Sequence, residues 1–474
     1  MDWKKDLQRS LKSGLVRHKH EILEDIGKLV AVPSMYESET VAVHMPFGKE
    51  VRKAFDCIIE VAERFSLHWE DFDGYALHVD YGEGDETLGI LVHADVVPCE
   101  SVEKWISDPF TLSIREGFMY GRGVNDDKSV IIGMLYIMGL LKKANYQPVN
   151  KIRLIIGGAE ETTWECMDYY LKKNEPPQVS FSPDCDFPVV NCEKGMIRGK
   201  FSKKYDKPEG KSTAIHQLLR LKSQINYGYI LHRLEVVIRT DDVSAIRRKA
   251  VHAAEAICEG GIVTLVYLSK ANVSRNPHKG NDASYGLVQD FGECMNIDDN
   301  FHDILKQIGR WFYAKPYGEG LGIVHHHPET GDLTAALCYL VYQEEELSVG
   351  FDIRYPVGIS EEHIKKSLKE EADKEGFDMD IVQKKDRLYA APESSLVCTL
   401  LDAYEAVMGE RPFPVTKGGI SYSRAVPSCV GFGPSFPGDE PHSHGENECM
   451  NIEKYFKALD IYVEAVVRLS TTIQ

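Results

Sequence analysis

Residues 88–92 (LGILV) are a short, continuously apolar run and residues 151–156 (KIRLII) a second, mostly apolar one, and polar side chains follow each: His93 and Asp95 after the first, Glu160 and Glu161 beyond Gly157-Gly158-Ala159 after the second. A continuously apolar run fits a strand covered on both faces, the situation in a parallel sheet flanked by helices. Residues 128–143, between the two runs, read as an apolar helix. Helical spacing also marks residues 2–32, through Leu7, Leu11, Leu15, Ile22, Ile26 and Leu29, and residues 49–65, through Val51, Phe55, Ile58, Ala62 and Phe65. Residues 75–81 alternate as a strand. The first 195 residues therefore read as α/β.

A chain of 474 residues exceeds the usual size of one core, so two domains are expected. The texture changes after Gly195: residues 200–211 are lysine-rich, and amphipathic strands such as 234–239 and 347–354 alternate with helical runs. From about residue 384 the α/β texture resumes, with a helix at 394–408, a turn at Gly418-Gly419, a strand at 429–432 and a closing helix at 452–469. The expected fold is a discontinuous domain of residues 1–195 and 384–474, with a mostly parallel central sheet flanked by helices, and an inserted α+β domain of residues 196–383.

A formal net charge of −18 argues against nucleic acid and anionic membrane as partners, because both would repel the chain. The eleven cysteines are odd in number and include no CxxC pair, so free thiols and a cytoplasmic address are expected. The N-terminus lacks the apolar core of a signal peptide, and no stretch reaches the roughly 20 apolar residues of a membrane span.

His93 and Asp95 stand two apart, so in an extended chain they project to one side. A metal-bound imidazole needs an acceptor on its other nitrogen, which Asp95 could be; the pair equally fits a strand-end histidine beside a solvated aspartate. Asp126 and Asp127 follow the turn Tyr120-Gly121-Arg122-Gly123. One could bridge two cations and the other cap the next helix, and capping alone would explain either. Glu160 and Glu161 repel unless a cation compensates or one holds a proton. One on metal and the other as general base resolves that conflict, with a solvated loop as the alternative.

Asp184 ends the next strand, residues 179–184 (VSFSPD), and His442-Ser443-His444 lies far downstream. Recurrence at strand C-terminal ends is the stronger signal, because open parallel sheets place ligands at that edge. Imidazole and carboxylate without thiolate is the ligand chemistry of catalytic zinc, manganese or cobalt, and the segments together read as a two-metal hydrolytic centre. The run His325-His326-His327 cannot all face one ion and reads as a solvated turn. Arg354 ends the strand at 347–354, placed either to clamp a carboxylate or to form a surface ion pair.

The strings HADVVP (93–98), WISDPF (105–110), YGRGVNDDK (120–128), EE (160–161) and PD (183–184) resemble, in order, the co-catalytic dinuclear zinc metallopeptidases that include aminoacylases, carboxypeptidase G-type enzymes and carnosinases. The likeness spans the whole chain. Residues 181–188 (FSPDCDFP), Glu193-Lys194-Gly195 and the long insert are most similar to the bacterial dipeptidase branch of PepV and the Xaa-His dipeptidases.

The resemblance implies His93, Asp126, Glu161, Asp184 and His444 as ligands of two divalent ions, zinc first with manganese or cobalt as alternatives, and Asp126 as the bridge. It makes Asp95 the partner of His93 and Glu160 the general base. His444 is preferred to His442 because HGENE (444–448) matches the family's histidine followed four residues later by glutamate. The insert would be a lid that stabilises the oxyanion and clamps the substrate carboxylate, with Arg354 and the turn holding Gly419 as its contacts. Two positions depart from the pattern: Asn272 stands where the family carries a lid histidine, and the segment beginning at Asn226 lacks the family's proline. A monomeric enzyme acting on small peptides is implied. The neighbouring readings are a deacylase of N-acyl amino acids and a metal-containing binder of peptides or amino acids weakened by Asn272.

Overall fold

The helix Lys128–Lys143 is buried from Lys128 through Leu141, as a helix apolar all round must be. Gly133 lets the closing helix Ile452–Leu469 approach it, since a Cβ there would lie 2.4 Å from Leu459 Cδ2. The helices Trp3–Arg17, Lys19–Val30 and Lys49–Arg64 share the same core through Leu11, Leu15, Ile26, Leu29, Phe55 and Ile58.

This is a computed structural model describing residues 3–99, 101–206 and 215–471. Contacts divide the chain into two units: residues 1–192, 388–415 and 420–474 in the first, residues 193–387 and 416–419 in the second. Gly418 and Gly419, expected with the returning α/β segment, group instead with the second unit, where the Gly418 carbonyl accepts a hydrogen bond from Arg354 Nη1 at 2.9 Å.

The main sheet of the first unit begins His68–Phe72, Ala76–Tyr81, Lys151–Gly157, Thr87–His93, Val179–Ser182, Cys429–Gly431. The last four of these strands are mutually parallel, with Leu88 opposite Ile152 on one side and Val179 on the other. The flanks are antiparallel: Ala76–Tyr81 pairs so with both neighbours, and Val190–Glu193 runs against Cys429–Gly431. The expected parallel character thus describes the centre of the sheet. A small antiparallel sheet stands apart from it, ordered Cys449–Asn451, Phe118–Tyr120, Ser113–Arg115.

Among the described residues the second unit is built on an antiparallel sheet of eight strands, from Glu255–Glu259 at one edge to Asp378–Lys385 at the other, beside a two-stranded ribbon of His326–His327 and Gly331–Asp332. Helices Val243–Lys249, Ser284–Phe291, Asp299–Trp311 and Glu361–Lys374 contribute to its core, where Phe201 packs against Trp311 and Phe351. Residues 200–204 of the lysine-rich stretch finish the strand Gly195–Lys204, and residues 207–211 lie outside the described residues. No cysteine among the described residues forms a disulfide. No helix among the described residues is long and apolar enough to cross a membrane.

Candidate metal centre

Three of the five expected ligands leave the C-terminal ends of parallel strands. Thr87–His93 ends on His93 itself, Lys151–Gly157 leads through Gly158 and Ala159 to Glu160 and Glu161, and Val179–Ser182 leads through Pro183 to Asp184. Asp126 and His444 arrive differently, on the turn after Phe118–Tyr120 and the turn before Cys449–Asn451, strands that pair with Tyr120 opposite Cys449.

These side chains converge. His93 Nε2 lies 2.8 Å from one Asp126 oxygen, and His444 Nε2 lies 3.1 Å from the other and 3.0 Å from Glu161 Oε1. Three overlapping groups, His93/Asp126/Asp184, His93/Glu160/Glu161 and Asp126/Glu161/His444, each bring ligand atoms within 4.8 Å of one another. Among the described residues, no other such group of three occurs. The donor set is all oxygen and nitrogen, which fits a hard or borderline divalent cation.

The charges are of the kind a cation would offset. Burial and the neighbouring Asp184 push Glu160 well above the usual carboxylate range, and burial with Asp126 raises Glu161. Asp184 is pushed up to about 7 by burial and by Asp126. Asp126 goes the other way: against its burial, hydrogen bonds from His444 and His93 hold it far below the ordinary value. Those bonds to Asp126 and Glu161 raise His444 to about 11. Glu160, Glu161 and Asp184 thus hold their protons more tightly than usual, and a divalent cation would offset the repulsion responsible.

Asp95 meets His93 through both its main chain and its side chain. His93 Nδ1 is 3.0 Å from the Asp95 backbone carbonyl and 3.5 Å from its carboxylate. The carboxylate also accepts the backbone N–H groups of Glu160 and Glu161, each at 3.0 Å. Asp95 therefore orients His93 with its main chain and holds the glutamate pair with its side chain. Asp127 occupies the N-cap position of the helix Lys128–Lys143 but makes no capping bond. Both its oxygens are buried without a partner, and burial drives its carboxyl well above the ordinary value. The peptide bond between Asp126 and Asp127 is cis.

The expected substrate contacts lie in the second unit and are engaged within it. Arg354 is buried, with Nε and Nη2 on the two oxygens of Asp352 at 2.7 and 3.0 Å. Asn272 donates from Nδ2 to the Asn276 carbonyl at 2.8 Å, and Asn226 accepts the Gly228 N–H at 2.8 Å. Of the histidine run, expected as a solvated turn, His326–His327 form a short strand against Gly331–Asp332, with His326 paired to Asp332 and His325 2.9 Å from the Val357 carbonyl.

Sequence reasoning missed two residues that shape the site. Tyr422 is fully buried, donates its backbone N–H to Asp184 at 3.0 Å and sets its ring edgewise to His93. Glu448, whose string served only to fix the register of His444, accepts the backbone N–H of Asp126 at 3.2 Å. The fourth-residue glutamate was the available signal for Glu448; Tyr422 had none beyond its place after the glycine turn.

A carboxylate and imidazole cluster at the C-terminal edge of a parallel sheet, on a chain interrupted by an antiparallel unit, defines a class of hydrolytic α/β proteins. The model of Peptidase family M20/M25/M40 matches residues 89–468, and the chain belongs to that family. It is similar to Putative dipeptidase YtjP of Bacillus subtilis (strain 168), 27% identical over 464 residues that cover 96% of this chain and 98% of that one. Among solved structures, the di-peptidase Dug1p of Saccharomyces cerevisiae aligns over 98% of this chain and 99% of its own, with a TM-score of 0.59 at 14% identity. Aminoacylhistidine dipeptidase of Vibrio alginolyticus aligns over 94% and 96%, with a TM-score of 0.58 at 14% identity. At those identities the likeness is one of fold.

Proposed function

We propose that this peptidase is a dipeptidase that uses two divalent metal ions, zinc first, to hydrolyse short peptides bearing a free C-terminal carboxylate. The observation that carries the reading is Asp126, with one oxygen toward His93 and the other toward His444. Grouped with Asp184 on one side and Glu161 on the other, it is the shared member of two ligand sets. Bound ions there would polarise the scissile carbonyl and acidify a water.

The remaining chemistry belongs to Glu160. Its carboxylate takes no hydrogen bond among the described residues, while its backbone is pinned by Asp95. It is free to take the proton of the attacking water and return it to the leaving amine. Burial and Asp184 raise the affinity of Glu160 for a proton. For the substrate carboxylate we assign Arg354 and Gly419; the support is the guanidinium, fixed by Asp352 and in contact with Gly418. Asn226 and Asn272 have their polar groups in local bonds, so their part in substrate binding rests on the resemblance alone.

The test is turnover on a panel of dipeptides set beside N-acetyl amino acids, with zinc, manganese or cobalt added. Cleavage of dipeptides alone is expected. Preference for the N-acetyl compounds would make the chain a deacylase, and bound metal without cleavage of either would make it a binder.

A further inference from the structure

We propose that Glu448, held by Arg122, is a positioning residue that ties the Asp126 turn to the His444 turn and so sets the spacing of the metal ligands. The inference rests on the reading of Asp126 and His444 as ligands. Glu448 is fully buried and Arg122 nearly so. Both carboxylate oxygens of Glu448 are used: Oε2 accepts Arg122 Nη1 at 2.7 Å and the Gly123 N–H at 3.0 Å, while Oε1 accepts the N–H of Asn125 at 2.9 Å and of Asp126 at 3.2 Å. One side chain from the His444 segment thus organises the whole turn that delivers Asp126.

Arg122 returns the link. Its Nη2 donates to the carbonyl of Gly445, the residue after His444, at 3.1 Å, and its guanidinium lies 5.3 Å from the centre of the Trp105 ring. Two further bonds cross the same seam: Gly121 N–H to the Glu448 carbonyl at 3.2 Å, and Asn125 Nδ2 to Ser443 Oγ at 2.9 Å. A buried ion pair is a weak stabiliser, because desolvation of both partners offsets their attraction. As a spacer it is well suited, since every bond has a fixed direction and its four donors are backbone or guanidinium N–H groups that cannot accept in return. Residues that orient metal ligands from behind influence affinity for the ion, commonly by about 10- to 100-fold.

The experiment uses the full chain stripped of metal and titrated with cobalt(II), followed by calorimetry and by visible absorption, which reports ligand geometry. Glu448→Gln turns an NH2 toward two of the four donors. It should weaken cobalt binding by about 10- to 100-fold and alter the absorption bands. Arg122→Lys keeps a cation beside Glu448 but loses the planar fork to Gly445; it should weaken one of two binding steps and spare the other. Variants that fold but bind cobalt with wild-type affinity and spectrum overturn the proposal, even if their melting temperature falls, because a merely structural pair would lower stability alone. Should Glu448→Gln not fold, Arg122→Lys decides on the same criterion. Wild-type protein that binds no cobalt would overturn the ligand assignment, and this proposal with it, a result distinct from unchanged binding in the variants.

Discussion

Glu160 and Glu161 are neighbours with unlike surroundings. Glu161 faces His444 at 3.0 Å, whereas Glu160 has no hydrogen-bonded side-chain partner among the described residues. Replacing Glu160 by Gln should lower kcat on the order of 10²- to 10⁴-fold, the range for loss of a general base, with metal content unchanged. A variant that retains kcat would remove Glu160 from the proton transfers. The metal-free protein should also reveal the crowded charges through pH. Asp184 is raised from 3.8 to about 7 and His444 from 6.5 to about 11, so the native state holds both protons more tightly than the unfolded chain does. Stability from each is full below its unfolded value and is lost as pH rises toward the folded one. The melting temperature of the metal-free protein should therefore fall from about pH 6 to about pH 8. Saturating zinc should reverse that slope, because the ion requires deprotonated ligands. A flat or rising metal-free curve would contradict the electrostatic picture.

At the scale of elements, the tightest constraint is where strand ends meet buried rings. Gly157 pairs with His93, and a Cβ on it would lie 1.8 Å from the Tyr422 hydroxyl. Gly157→Ala should cost about 1–3 kcal/mol by overpacking and reduce turnover by displacing the ring whose backbone holds Asp184. Urea unfolding and a kcat measurement check both parts; wild-type values for the two would show that Tyr422 moves aside freely. Much of this layer was legible in the sequence. Period and apolarity locate the helices Lys128–Lys143 and Ile452–Leu469, and the parallel strands betray themselves by being apolar on both faces. What stayed hidden are partners far apart in the chain. The carboxylate of Asp95 on the amides of Glu160 and Glu161, Asp352 on Arg354, and Glu448 on the Asp126 turn are set by tertiary approach, and periodicity carries no information about that. Glu160 and Glu161 stood out in the sequence because adjacent acids after an apolar run are costly without a cation, and the assignment of the other ligands came from the resemblance. Their supports did not stand out, because a lone glutamate or tyrosine in a loop carries no such tension.

Across the molecule, all five proposed ligands fall in the first unit, and the second holds no group of three metal-ligating side chains among its described residues. Chelation should therefore act unevenly. Hydrogen exchange after metal removal is expected to quicken in residues 87–95, 118–128, 157–161, 182–184 and 440–451, with the antiparallel sheet of the second unit keeping its protection. Equal loosening in both units would show that the ion supports more of the fold than its own neighbourhood.

The order of these segments along the chain also bears on synthesis. The strand Val179–Ser182 is completed on one side only when Cys429–Gly431 arrives, and His444 comes later still, after the whole of the second unit. A nascent chain that has emerged as far as residue 387 carries His93, Asp126, Glu161 and Asp184 but neither the last imidazole nor Glu448. By this assignment peptidase activity waits until residues 444 and 448 have been made, so the chain stays inert while only one half of the proposed site exists.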